Sequence, residues 1–190
     1  MKKFISALMN ILLLVMMLSV EVFAAEGYEE IANATVKEVG SPAMTPIFGD
    51  QIPDGTYEIR VETSSSFFKI DRAVLTVANG KMEALLYMYS SSYTHVYMGS
   101  PKEAAEAAYS DYIESAEVDY YDTFTVPVEA LNKPIPCAAF SKKKKKWYER
   151  NLVFRADTMS GDVFSYDFPD YELINEAMAE FKENHPEKFE

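Results

Sequence analysis

Five successive lysines, Lys142 to Lys146, run directly into Trp147-Tyr148-Glu149-Arg150, in a chain whose formal charge is -12. Ammonium groups at this density bind anions, because a carboxylate or phosphate among them gains charge-assisted hydrogen bonds. On an extended hairpin alternate side chains face one way, so Lys142, Lys144 and Lys146 share a side and two or three can converge on one guest. The run also has a bland reading, since lysines at a sheet edge deter edge-to-edge pairing. A second constellation is aromatic. In strand register Tyr87, Tyr89, Tyr93, His95 and Tyr97 share parity, opposite a Leu86, Met88, Val96 and Met98 face. If the Ser90-Ser91-Ser92 break keeps register, one side is core and the other a hydroxyl-bearing aromatic surface able to stack a flat ligand or a sugar. Aromatic residues are equally ordinary strand composition.

Catalytic chemistry finds little support. His95 and His185 are the only histidines and stand far apart. No HExxH, GxSxG, glycine-rich phosphate loop or EF-hand loop is present. With 30 Asp and Glu, a carboxylate pair can always be assembled, so no chosen pair is informative. The reading is a binding module and not an enzyme. The single cysteine, Cys137, excludes an internal disulfide and a CxxC metal cluster. It shares a strand face with Ile135 and Ala139 and reads as a buried small hydrophobe.

These residues need elements to position them. Tyr57, Ile59 and Val61 alternate with Glu58, Arg60 and Glu62, the period of a half-buried strand. Phe67 to Val77 and Lys81 to Tyr89 flank Asn79-Gly80, and Asn-Gly between β-rich runs is a strong hairpin signal because both central residues need positive φ. Tyr93 to Met98 is a further short strand. Ser100-Pro101-Lys102-Glu103 then sets serine at N-cap, proline at N1 and glutamate at N3, which starts a short helix reaching about Ala108. Asp111 to Asp122 reads as a surface connection. Thr123 to Val128 alternates, and Pro127 confines that strand to an edge or makes it end there. Ile135 to Phe140 and Trp147 to Ala156 close the set, with the lysines at the tip between them. About seven short strands predict an all-β fold, an immunoglobulin-like antiparallel β-sandwich with one short helix. A closed barrel is the alternative.

Residues 1–25 pair Lys2 and Lys3 with an apolar run from Phe4 to Leu18 and then small residues, the order of a secretory signal peptide. Cleavage is expected after Ala24 or Ala25, giving a secreted, extracytoplasmic protein with no stable membrane span, the apolar run being short for one. Loss of Lys2, Lys3 and Glu21 leaves the chain more acidic still. That surface repels nucleic acid and anionic lipid at long range. Residues 26–50 read as a linker or N-terminal arm, 51–157 as the sandwich, and 158–190 as a C-terminal tail. In the tail Leu173, Ile174, Ala177, Met178 and Phe181 have helical spacing.

Asp54-Gly55-Thr56-Tyr57, Ala73 to Val77 with Asn79-Gly80-Lys81, Ser90 to Tyr93 and the hairpin from Ala138 to Phe154 together resemble the NEAT (near-iron-transporter) domain. Phe68-Lys69, Val96-Tyr97-Met98-Gly99 and Ser141 to Arg150 are similar to a divergent NEAT-like group in secreted proteins of clostridial-type bacteria. The resemblance covers about residues 50–157. It implies a sandwich with a ligand pocket between the closing hairpin and a short 3₁₀ segment, where NEAT domains commonly bind haem. A YxxxY pair on the last strand supplies the iron ligand and its hydrogen-bonding partner. Here Tyr148 matches the second position and Lys144 the first, so the expected ligand is absent; Tyr148 or His95 would have to serve. Ser91, Ser92 and Tyr93 match the region that covers the porphyrin.

The expected ligand-binding set is therefore Ser91, Ser92, Tyr93, His95, Tyr97, Lys142, Lys144, Lys146, Trp147 and Tyr148, with Trp147 as able to staple the hairpin as to touch a guest. The guest is an anionic small molecule, haem included. The alternative is a protein- or envelope-interaction module, in which an acidic protein segment or cell-envelope polymer meets the same hairpin without a small ligand.

Overall fold

The computed structural model describes residues 24–160 and, beyond them, the single helical residue Ala179. Most of the expected signal peptide, residues 1–23, and the amphipathic stretch from Tyr171 to Phe181 lie outside the described residues, Ala179 apart.

Among the described residues ten strands form two antiparallel sheets. The strands β1 (Gly55–Thr63), β2 (Ile70–Ala78), β3 (Lys81–Met88), β6 (Ala116–Val118), β7 (Tyr121–Val128) and β10 (Leu152–Arg155) build the larger sheet, in the order β10-β1-β2-β3-β7-β6. The smaller contains β4 (Tyr93–Tyr97), β5 (Ile113–Glu114), β8 (Ala138–Ser141) and β9 (Trp147–Glu149), in the order β5-β4-β8-β9. Alternation drives the larger sheet inward: Ala73, Leu75 and Val77 of β2 and Ala84 and Leu86 of β3 are buried against Val96, Cys137 and Ala139 of the opposite layer. The arrangement is the expected immunoglobulin-like β-sandwich.

Local signals behave as their chemistry requires. Asn79 and Gly80 take φ of 51° and 74° between β2 and β3. Helix α1 (Pro101–Glu106) starts at Ser100, whose Oγ accepts the Glu103 N–H at 3.2 Å while the Glu103 carboxylate accepts the Ser100 N–H at 2.8 Å. Pro127 sits on β7 opposite Glu83 of β3, beyond the reach of the short β6, so its missing N–H interrupts no ladder.

Three expectations require correction. Asp111 to Asp122 is not a bare connection: it holds β5, β6 and a tight turn at Asp119-Tyr120, both with positive φ. Trp147 to Ala156 is not one strand. The chain leaves the small sheet at Arg150 and joins the large one at Leu152, pinned at the crossing by the Arg150 N–H to the Cys137 carbonyl (2.6 Å) and by Asn151 and Ser64 bonding each other's backbone. The tyrosine face is also broken. The β4–β8 register shifts between Tyr93 and His95, so Tyr93 packs in the central core on Phe68 while His95 turns outward.

The small sheet is buried on both sides. Its outer face carries Phe140 and Trp147 beneath Ala104 and Ala105 of α1, Tyr112, Ala25, and Tyr28 of the N-terminal arm. The arm lies along β9: the Trp147 N–H donates to the Glu30 carbonyl and the Ala32 N–H to the Trp147 carbonyl, both at 2.8 Å. This added rung shields the free edge of the sheet.

Candidate functional site

The β8–β9 tip is a coil and not an extended hairpin end. The Lys145 N–H donates to the Ser141 carbonyl at 2.9 Å, Lys145 adopts φ 53°, and the Lys144 N–H donates to Ser141 Oγ at 3.2 Å. Alternation is lost across such a turn, so Lys142, Lys143 and Lys144 all border one concavity. The Lys142 N–H donates to the Ser92 carbonyl at 2.9 Å, which fastens the tip to the turn before β4.

That concavity has a volume of about 530 Å³, within the span of roughly 300–1,000 Å³ usual for small-ligand sites. The lysines, Ser91, Ser92 and Ser141 give it hydroxyl and ammonium groups, Tyr93 and Tyr148 give it rings, and Phe67 and Arg150 complete it. Among the described residues no carboxylate lines it. Phe67 and Phe68 divide the work of their turn: Phe68 is fully buried against Tyr93, whereas Phe67 is 80% exposed at the mouth.

Phe67, Ser141, Lys143 and Arg150 lay outside the expected set, and Arg150 is the buried one of these four. It is 4% exposed; its Nη2 donates to the Tyr93 hydroxyl at 3.0 Å and its Nη1 to the Glu149 carbonyl at 2.6 Å. The guanidinium carbon lies 5.0 Å from the centre of the Tyr148 ring and 5.7 Å from that of Tyr93. Its parity with Tyr148 was the available signal.

Of the expected site residues, Ser91, Ser92, Tyr93, Lys142, Lys144 and Tyr148 meet in this concavity. Four do not. Trp147 is fully buried on the opposite face of the sheet, its indole N–H donating to the Tyr28 carbonyl at 2.7 Å. His95 lies on that same face among Tyr28, Tyr109 and Tyr112, with Nε2 3.0 Å from the Tyr109 hydroxyl and Nδ1 2.9 Å from Thr94 Oγ1. Burial pushes its pKa below the usual histidine value, with Lys145 adding to the fall and Glu114 opposing it. The sheet separates His95 from the concavity, which removes it as an iron ligand there. Lys146 turns to Glu30, 3.1 Å away. Tyr97 borders a different groove, with Ser100, Glu103, Glu129 and Pro136.

Among the described residues no group of three or more His, Cys, Asp or Glu could hold a metal ion, and no helix is long and apolar enough to cross a membrane.

No family model matches the sequence, and no curated protein matches it. Among solved structures the chain is similar to a mutant IsdX2-NEAT5 domain in complex with haem, at 14% identity and a TM-score of 0.41, over 54% of this chain and 95% of that one.

Proposed function

We propose that the chain is an exported, non-catalytic NEAT-like binding module that captures an anionic, planar ligand, with haem as the specific guest, in the concavity at the β8–β9 tip. One observation carries this reading: three exposed lysines, a buried arginine, two tyrosines and Phe67 border a single hollow with no carboxylate among the described residues, in a chain of charge -12. Cationic walls suit propionate groups. The Tyr148 and Tyr93 rings and exposed Phe67 suit a flat apolar face.

The residues present fit haem with one change from the resemblance. Tyr148 is the phenol available to the iron, because the Tyr93 hydroxyl already engages Arg150. Lys144 stands exposed where the resemblance puts the ligating tyrosine. Its place at the rim suits a propionate instead. Export rests on the leader pattern of residues 1–25.

An absorbance titration with haemin tests the reading. A saturable Soret shift, one site per chain, is expected, with loss of that shift in Tyr148→Ala and weakening when Lys142, Lys143 and Lys144 become serine. No shift at micromolar haemin removes haem. The exposed lysines would then favour the interaction module, with an acidic protein segment or envelope polymer as partner.

A further inference from the structure

The larger chemical question at this site is what Arg150 is for. Its guanidinium is buried and, among the described residues, has no carboxylate partner. Arg155 shows the contrast: less buried, it is paired with both Glu62 and Asp157. Acidic residues outnumber basic ones 30 to 18, so the chain had carboxylates to spare for Arg150. A guanidinium offers five donors in a planar fork. Here Nη1 and Nη2 have one neutral acceptor each, and Nε is buried with none. Burying a charge without a counter-ion is costly unless something else supplies the missing partner.

The surroundings stabilise the cation without neutralising it. The Tyr148 and Tyr93 rings stand at cation–π distance. The backbone of Arg150 is fixed at the sheet crossing by its 2.6 Å bond to the Cys137 carbonyl. The fork is therefore held in place, and it forms part of the wall of the concavity. Resting on the reading that this concavity is the ligand site, we propose that Arg150 selects the guest. The ligand class is a planar carboxylic acid, recognised through its carboxylate and independently of any bound metal. The carboxylate replaces the Tyr93 hydroxyl as acceptor for Nη2 and brings Nε the acceptor it lacks, a bidentate pair of the geometry that guanidinium favours. The three rim lysines are exposed and act as attracting charges; the arginine supplies direction.

Fluorescence titrations with metal-free protoporphyrin IX and its dimethyl ester, beside the haemin titration, test this. The free acid is expected to bind within a few-fold of haemin. The ester is expected to lose at least about tenfold, since removing one partner of a buried charged pair is expensive. Arg150→Met should lose the same factor for the free acid and nothing for the ester. If that variant misfolds, Arg150→Lys, which keeps the charge but not the fork, should still lose affinity for the free acid and none for the ester, and an unchanged preference for the acid in Arg150→Lys overturns the proposal. Equal affinity for acid and ester overturns the proposal and leaves only a planar guest whose charge is not read; haemin binding without protoporphyrin binding overturns it and leaves the haem reading standing. Failure of every porphyrin to bind takes down both.

Discussion

Trp147 and Tyr148 are consecutive residues of β9 that serve opposite faces of the small sheet. The Trp147 ring lies 5.0 Å from Tyr112 and 5.1 Å from Phe140 in a sealed aromatic cluster. Tyr148 faces the concavity beside Arg150. One short strand thus joins a structural staple to a ligand wall.

The two positions should separate stability from binding. Trp147→Ala removes a fully buried indole and its hydrogen bond, and should cost about 3–5 kcal/mol in urea unfolding. Tyr148→Ala should change stability by no more than about 1 kcal/mol, because its ring is half-buried at a rim. Similar losses at both positions would contradict the two-faced strand.

His95 gives the outer cluster a pH dependence. Its folded pKa lies below its unfolded value of about 6.5, chiefly through burial. Between the two values the unfolded chain binds the extra proton, so stability falls as pH drops through that window and levels off below it. Glu114 and Lys145 are the charges facing it, and Tyr28 and Tyr109 its hydroxyl neighbours. Unfolding free energies from pH 7 downward should show the fall in the wild type, and a smaller one in His95→Gln.

Cys137 should be inert in the folded protein. Burial pushes its thiol up to about 12, despite the opposing charge of Arg150. A thiol reagent at pH 8 should label the native chain far more slowly than the urea-unfolded chain, since the thiolate is the reactive form. Rapid native labelling would contradict the packed interior between the sheets.

Gly49 ties the arm to the β2–β3 turn. A β-carbon there would run into the Gly80 carbonyl, whose carbon would stand 2.8 Å away in backbone with little freedom to yield. Gly49→Ala should therefore cost about 1–3 kcal/mol in thermal or urea unfolding, the range for overpacking. An unchanged midpoint would show that the arm is not clamped at this turn.

Local patterns made much of the sandwich legible. Asn79-Gly80 and the Ser100–Glu103 box are decided within four residues, and the β2 and β3 alternation meets one buried face. What escaped the sequence depended on breaks in that period. The shift after Tyr93 sends His95 to the other side of the sheet, and the crossing at Arg150-Asn151 splits an apparently continuous strand between two layers. Parity counted through such breaks reverses faces. The lysine tip failed in another way: coiling at Lys145 replaces alternation with a cluster, which brought Lys143 into the concavity. Tyr28 was invisible because its partners His95, Phe140 and Trp147 are remote in sequence.

The central claim concerns where a guest sits. Amide chemical-shift mapping of the protein titrated with metal-free protoporphyrin IX tests it most directly. The largest shifts should fall at Phe67, Ser91 to Tyr93, Lys142 to Lys144, Tyr148 and Arg150. Shifts centred instead on the groove of Tyr97, Ser100, Glu103 and Pro136 would contradict it.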